Sequence, residues 1–135
     1  MRVITGTARG RVLRTLEGED VRPTTDRVKE AVFSILQFEI EGRRVLDLFA
    51  GSGQLGIEAL SRGAASATFV DMSKDSLSAV KYNLEHTKLG DNAKVVQTDA
   101  LSFLKLTKDK FDIVFLDPPY ASSLVTDSMK LLSDV

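Results

Sequence analysis

The 135-residue chain predicts an α/β fold built on a doubly wound, mainly parallel sheet. Three observations carry this expectation. Short apolar, β-branched runs alternate with amphipathic stretches of about a dozen residues, the pattern of strands joined by crossover helices. The glycine-rich segment Gly51-Ser52-Gly53-Gln54-Leu55-Gly56 stands directly after one such run, where a strand would turn into a helix. A further run, residues 111–116, is apolar at nearly every position, as expected of a strand covered on both faces.

Taken in order, residues 2–5 and 11–16, around Gly6 and Gly10, read as a β-hairpin. Thr24-Thr25-Asp26 offers cap residues for a first helix whose apolar stripe is Val28, Ala31, Val32, Ile35 and Leu36, closed by Gly42. Residues 44–48 read as a strand, 54–62 as a helix ended by Gly63, and 67–70 as the next strand. Ser73 caps a helix with Leu77, Val80 and Leu84 on its buried face and Gly90 past its end. Residues 93–97 give a third strand, 99–106 a short helix, and 111–116 the fourth strand. A last amphipathic helix is expected from Ser122 or Ser123, carrying Val125, Met129 and Leu132. A strand as apolar as 111–116 belongs inside a sheet, because at an edge it would expose unpaired backbone beside apolar surface. The expectation is therefore a sheet lacking its C-terminal strands, completed by a complementary fragment or by self-association through the exposed edge.

Length and composition describe one domain over residues 1–135, with 1–20 a basic hairpin extension and 21–135 a core that is incomplete at its C-terminus. A hydrophobic share of 43% and a charged share of 27% are those of a globular domain rather than a disordered chain. No apolar run spans a bilayer and no signal-peptide pattern opens the chain, so no membrane role and a cytoplasmic location are expected. Without cysteine there is neither a disulfide framework nor thiolate chemistry. His86 is the single histidine, which leaves a histidine zinc site or a Ser-His-Asp triad without material; no metal is expected, and His86 reads as solvent-facing. The basic cluster Lys105, Lys108 and Lys110 reads as a solvated turn. Charge is uneven: residues 1–16 hold Arg2, Arg9, Arg11 and Arg14 and no acid, leaving −5 on the remainder of a chain whose total is −1. Such an arm suits contact with phosphate, although an exposed hairpin edge shows the same pattern.

The glycine segment fits G-x-G-x-x-G, in which glycines let backbone approach a ligand and a helix N-terminus supplies donors. Asp71, twenty residues after Gly51, is placed to grip two ribose hydroxyls. So far this describes a nicotinamide dinucleotide site equally well. Asp47, four residues before Gly51, would repel a pyrophosphate but suits a sulfonium cation and an ammonium group. Asp99, followed by Ala100 just after the third strand, adds another acid at the same rim, although an acid there can equally cap a helix. Phe49 and Met72 are candidate walls of the pocket.

In a doubly wound sheet the crevice lies where strand order reverses, above the first and fourth strands of the alternation. That sets Asp117-Pro118-Pro119-Tyr120 opposite the glycine loop. Asp117 and the Pro118 carbonyl can each accept one N–H of an exocyclic amine, steering its lone pair toward a methyl donor. Consecutive prolines fix two φ angles and so keep the acceptors preorganised. Tyr120 offers a ring for the base to stack on, worth roughly 1–3 kcal/mol in nucleic-acid complexes. A paired base would first have to leave its stack.

The segments Arg22-Pro23-Thr24-Thr25-Asp26-Arg27-Val28-Lys29-Glu30, Asp47-Leu48-Phe49-Ala50-Gly51-Ser52-Gly53 and Asp117-Pro118-Pro119-Tyr120 resemble the bacterial 16S rRNA guanine-N2 methyltransferases of the RsmD type. Gly6 and Arg9-Gly10-Arg11 resemble that family's first hairpin, and the resemblance covers essentially the whole chain. It implies a Rossmann-like methyltransferase fold and methyl transfer from S-adenosyl-L-methionine to the 2-amino group of a guanine in 16S rRNA of small-subunit particles. Asp117, Pro118 and Tyr120 would form the target clamp. Thr24, Asp47, Phe49, Gly51, Gly53, Asp71, Met72, Asp99, Ala100 and Asp117 would hold the cofactor, with Thr25 and Arg27 helping to close the pocket. Arg2, Arg9, Arg11, Arg14, Arg22 and Arg27 would meet RNA. Gln54 departs from the small residue expected there, and the family's sheet continues for about three more strands. The alternatives are a DNA adenine-N6 methyltransferase, since the clamp accepts any planar amine, and a non-catalytic RNA- or cofactor-binding fragment. A nicotinamide oxidoreductase ranks last.

Overall fold

A computed structural model of the chain describes residues 2–14 and 26–116. The short apolar runs become four strands, β1 (Arg44–Asp47), β2 (Ser66–Asp71), β3 (Ala93–Gln97) and β4 (Ile113–Phe115). All pair in parallel in the order β3-β2-β1-β4. From β1 the chain steps outward through β2 to β3, then returns to lay β4 on the other side of β1, so strand order reverses between β1 and β4. Register across that switch is Val45↔Ile113, Leu46↔Val114 and Asp47↔Phe115. At its opposite end the Asp112 amide donates to the Arg44 carbonyl at 2.8 Å, and the Asp112 carboxylate receives the Arg44 amide and guanidinium.

Helices α1 (Asp26–Leu36), α2 (Gln54–Ser61), α3 (Lys74–Thr87) and α4 (Ala100–Leu106) connect and cover these strands. The pleat sends alternate residues to opposite faces. Val45 and Phe69 join Phe33, Ile57 and Val80 in one cluster. Leu46, Leu48 and Val70 join Phe103 and Leu104 of α4 in another. The sheet is thus doubly wound, as expected. Phe115 closes the first cluster against Phe33, ring centroids 5.5 Å apart. No helix among the described residues is long and apolar enough to cross a membrane.

Several expected details change. The hairpin is reduced to one antiparallel bridge, Arg2↔Val12, around a tight turn; residues 15 and 16 lie outside the described residues. Only Val32 and Leu36 of the expected α1 stripe face the core. Val28 is 51% and Ile35 80% exposed, and Ala31 is exposed too, whereas Lys29 and Phe33 are fully buried with Val32 and Leu36 packed beside them. The helix is turned because Lys29 has a partner inside: its ammonium meets Glu58 Oε1 at 3.2 Å and donates to the Arg2 carbonyl at 3.1 Å. Helix α1 also ends at Leu36 rather than at Gly42, which lies in a later turn and donates to the Gly63 carbonyl. Ser73 caps α3 as expected, accepting from the Ser76 amide, but the left-handed C-cap is Lys88, and Gly90 opens a short 3₁₀ turn. His86 is half-buried and stacks on Tyr82, centroids 5.9 Å apart, instead of standing free in solvent. The last amphipathic helix, from residue 122, falls outside the described residues.

The basic arm docks on the far end of α2. Glu58, with no exposed side chain, accepts the amides of Ile4 at 2.8 Å and Thr5 at 3.0 Å and pairs with Arg62 at 2.9 Å. Ser61 receives the Ala8 amide on its hydroxyl, gives that hydroxyl to the Thr5 carbonyl, and accepts the Thr7 amide on its own carbonyl.

Candidate active site

Strands β1, β2 and β3 end along one rim, and the loops leaving it carry the expected cofactor residues. The loop after β1 is stitched to β2. The Ala50 amide donates to the Val70 carbonyl at 3.0 Å and the Gly51 amide to Asp71 Oδ2 at 2.9 Å. Gly51 has φ +57°, a left-handed conformation that suits glycine, and nothing lies within 4 Å of where a Cβ would stand. That face of the loop is bare backbone. Gly56 has another reason to lack a side chain: a Cβ there would stand 2.4 Å from Phe69 Cε1. Its absence seats α2 tightly on β2.

Asp47, 2% exposed, lies under the loop with Oδ2 accepting the Gly56 amide at 3.0 Å. It anchors the first turn of α2. Asp71 is half-buried at the end of β2. Its Oδ2 takes the Gly51 amide and its Oδ1 the Ser73 amide at 2.8 Å, so among the described residues each oxygen keeps a second lone pair. Asp99 follows β3 and caps α4, Oδ1 accepting the Ser102 amide and Oδ2 the Ser102 hydroxyl, both at 2.8 Å. Those two donors hold its carboxyl below the usual aspartate value. The capping use open to an acid at this position is therefore made. Phe49 is half-buried, Met72 is 69% exposed beside Asp71, and Ala100 is buried as the first residue of α4.

Gln54 adds a feature that its place in the motif did not announce. It is the first residue of α2 and 6% exposed, and its Oε1 has no hydrogen-bond partner among the described residues. A buried acceptor left without a donor costs about 1–3 kcal/mol. A ligand donor beside the loop would relieve it. The bare Gly51, the lone pairs on Asp71 and this orphaned oxygen fit a ligand that brings hydroxyl and ammonium donors.

At the switch point the Leu48 amide donates to the Phe115 carbonyl at 3.1 Å, and Phe115 is the register partner of Asp47. The chain therefore leaves β4 beside the glycine loop. Asp117, Pro118 and Tyr120 follow immediately but lie outside the described residues, as do Thr24, Thr25 and Arg22. Arg2, Arg9, Arg11, Arg14 and Arg27 are all exposed. Residues 4–8 bond to Glu58 and Ser61 at the foot of α2, whose 8 residues rise about 12 Å from the loop. Arg14 is held by Asn83 and Tyr82 of α3.

Asn83, Glu58 and Ser61 were not singled out from the sequence. Asn83 did leave a trace: it falls three residues after Val80, a polar residue inside the apolar stripe of α3.

The family model for conserved hypothetical protein 95 matches residues 1–135. Among curated relatives, ribosomal RNA small subunit methyltransferase D of Escherichia coli K12 is 44% identical over 134 residues, covering 99% of this chain and 67% of that protein. Its counterpart from Haemophilus influenzae is 43% identical, covering 99% and 71%. The solved structure of yhhF from Escherichia coli, a methyltransferase by name, superposes with a TM-score of 0.90 at 42% identity, covering 99% of this chain and 72% of that one. A Thermus thermophilus protein superposes with a TM-score of 0.85 at 32% identity. With these matches along its whole length, the chain belongs to the conserved hypothetical protein 95 family, the RsmD-type methyltransferases whose three signature segments it carries.

Proposed function

We propose that the chain methylates the exocyclic N2 amine of a guanine in 16S rRNA within small-subunit particles, in the cytoplasm, using S-adenosyl-L-methionine bound over the glycine loop. The observation that carries this reading is the pairing of Asp47 with Phe115 at the switch point. It sends the loop after β1 and the chain entering Asp117 out of the sheet side by side. Relatives named for methylation of small-subunit rRNA support the substrate class.

When bound, the cofactor supplies an electrophilic methyl carbon. The chain's own residues do the rest. Asp71 accepts the ribose hydroxyls while it holds the Gly51 amide. Asp47 supplies negative charge beneath the loop, favouring a cationic sulfonium and ammonium over a pyrophosphate, and Gln54 offers its unsatisfied oxygen to the ammonium. Met72 and Phe49 flank the adenine, with the Asp99-Ala100 backbone beside it. Thr24 closes the methionine end. Asp117 and the Pro118 carbonyl accept the two N–H groups of the guanine amine, and Tyr120 stacks on the base. Once methylated, the nitrogen is acidic enough to pass its proton to Asp117 or to water, so alignment rather than a strong base supplies the rate. The arm arginines, with Arg22 and Arg27, meet phosphate. Beside β4, an edge strand among the described residues, a complementary C-terminal segment or a second copy completes the sheet.

A labelled-methyl assay on unmodified 30S particles, with and without an added C-terminal segment, tests the reading. Label in the N2 position of a 16S guanine is expected. Transfer to DNA adenine alone would move the assignment to the adenine-N6 class. RNA binding without transfer, even with the segment supplied, would leave a non-catalytic module. Asp117→Ala is expected to abolish methylation and to leave S-adenosylhomocysteine affinity within a few fold. Equal loss of both would put Asp117 on the cofactor side of the cleft.

A further inference from the structure

Asn83 has 0% exposure and bonds two segments that are far apart in the sequence. Its Oδ1 accepts the Arg14 amide at 2.7 Å, and its Nδ2 donates to the Arg14 carbonyl at 2.9 Å and to the Ser52 carbonyl at 2.9 Å. The side-chain amide thus pairs with Arg14 as a strand neighbour would and gives its second proton to the middle of the glycine loop. One residue earlier, Tyr82 lies on the outer side of α3, with the Arg14 guanidinium 3.9 Å above its ring centroid. Arg14 is gripped by its backbone from within and by its side chain from without. Arg14 is the last described residue of the arm and stands, through Asn83, one side chain away from the loop assigned to the cofactor.

We propose that Asn83 is a positioning residue that couples docking of the basic arm to the shape of the glycine loop, so that RNA on the arm and cofactor at the loop each tighten binding of the other. This rests on the function proposed above. If the arm detaches, the Asn83 carboxamide loses two of its three bonds and becomes free to turn, and the Ser52 carbonyl loses a fixed donor. A buried carbonyl without a partner drives the peptide to rearrange, and Ser52 stands between the two glycines most able to do so. A polyanion that binds the arginines as the docked arm displays them selects the docked form, and with it the ordered loop. Linkage makes the effect reciprocal.

The test uses the full chain, S-adenosylhomocysteine and a short guanine-containing RNA. By calorimetry, saturating RNA is expected to tighten S-adenosylhomocysteine binding by about fivefold or more in the wild type, at the lower end of usual coupling strengths. Asn83→Ala is expected to reduce that to less than about twofold, while RNA still binds through the exposed arginines, more weakly than in the wild type because the docked arm is less populated. Tyr82→Ala, an exposed change that keeps Asn83, is expected to give an intermediate value and serves if the Asn83 variant does not fold. Hydrogen exchange supplies a readout without cofactor: RNA should slow exchange at the residue 51–53 amides of the wild type. RNA that binds but leaves those amides and the cofactor affinity unchanged overturns the coupling. So does coupling that persists in Asn83→Ala. A protein that fails to bind S-adenosylhomocysteine contradicts the cofactor assignment instead, and the exchange experiment still decides the role of Asn83.

Discussion

Lys29 and Glu58 meet at 3.2 Å with neither side chain exposed, and their pairing fixes which face α1 turns to the core. Glu58 also carries the Ile4 and Thr5 amides and Arg62, so arm, α1 and α2 share one buried carboxylate. Removing one member of such a group strands the remaining charge. Lys29→Ala is therefore expected to lower stability by about 3–5 kcal/mol, read from the urea midpoint. An unchanged midpoint would show that α1 is held by Phe33 and its neighbours alone.

The same carboxylate sets an acid limit. Burial by itself would raise the Glu58 carboxyl, but the Ile4 amide, Arg62, Lys29 and the Thr5 amide together hold it below the ordinary glutamate value. Its ionised form is thus favoured by folding. The stabilisation is complete above the unfolded value, roughly pH 4.3, and is lost as pH falls through the lower folded value. The melting temperature of the wild type should drop across that window. In Glu58→Gln the start should be lower and this part of the drop should be missing; an identical pH profile would remove Glu58 from the account.

Gly56→Ala puts a methyl group 2.4 Å from the Phe69 ring at the seat of α2. A loss of about 1–3 kcal/mol is expected, as for other overpacked sites. Adding Phe69→Leu should return part of it. If the double variant is no more stable than Gly56→Ala, the clash lies elsewhere.

Asp71→Ala removes the acceptor for the Gly51 and Ser73 amides together with the proposed ribose contact. S-adenosylhomocysteine affinity is expected to fall by more than about tenfold, measured by calorimetry. Asp71→Asn keeps an acceptor for one amide and should fall between the two. Wild-type affinity in Asp71→Ala would take this residue out of the cofactor site.

The alternation of strands and helices was legible because each element carries its own period and punctuation. Gly51 and Gly53 stand where the sequence sets a turn, Gly56 lies in the helix that follows, and Ser73 and Asp99 cap the next two helices. The burial face of α1 was legible only in part, through Val32 and Leu36. Val28 and Ile35 make a better apolar stripe than Lys29 and Phe33, and only a carboxylate on another helix, 29 positions away, makes Lys29 the inner residue. Asp99 shows a similar limit: one acid can cap a helix or hold a ligand, and its spacing from Ser102 favours the cap. Asn83 could be suspected from its place in an apolar stripe, but its bonds to Arg14 and Ser52 depend on tertiary contacts that no local pattern encodes.

Placing β1 between β2 and β4 has a consequence for how the molecule is made. A chain leaving the ribosome from its N-terminus can pair β1 with β2, and β2 with β3, while β4 is still being synthesised, because domains fold as their segments emerge. The rim that carries the glycine loop and Asp71 is then assembled first. Among the described strands β4 is added last, by pairing with a strand 68 residues upstream, and such distant pairings close slowly. Until β4 arrives, one flank of β1 in the nascent protein stays open to whatever else can pair there.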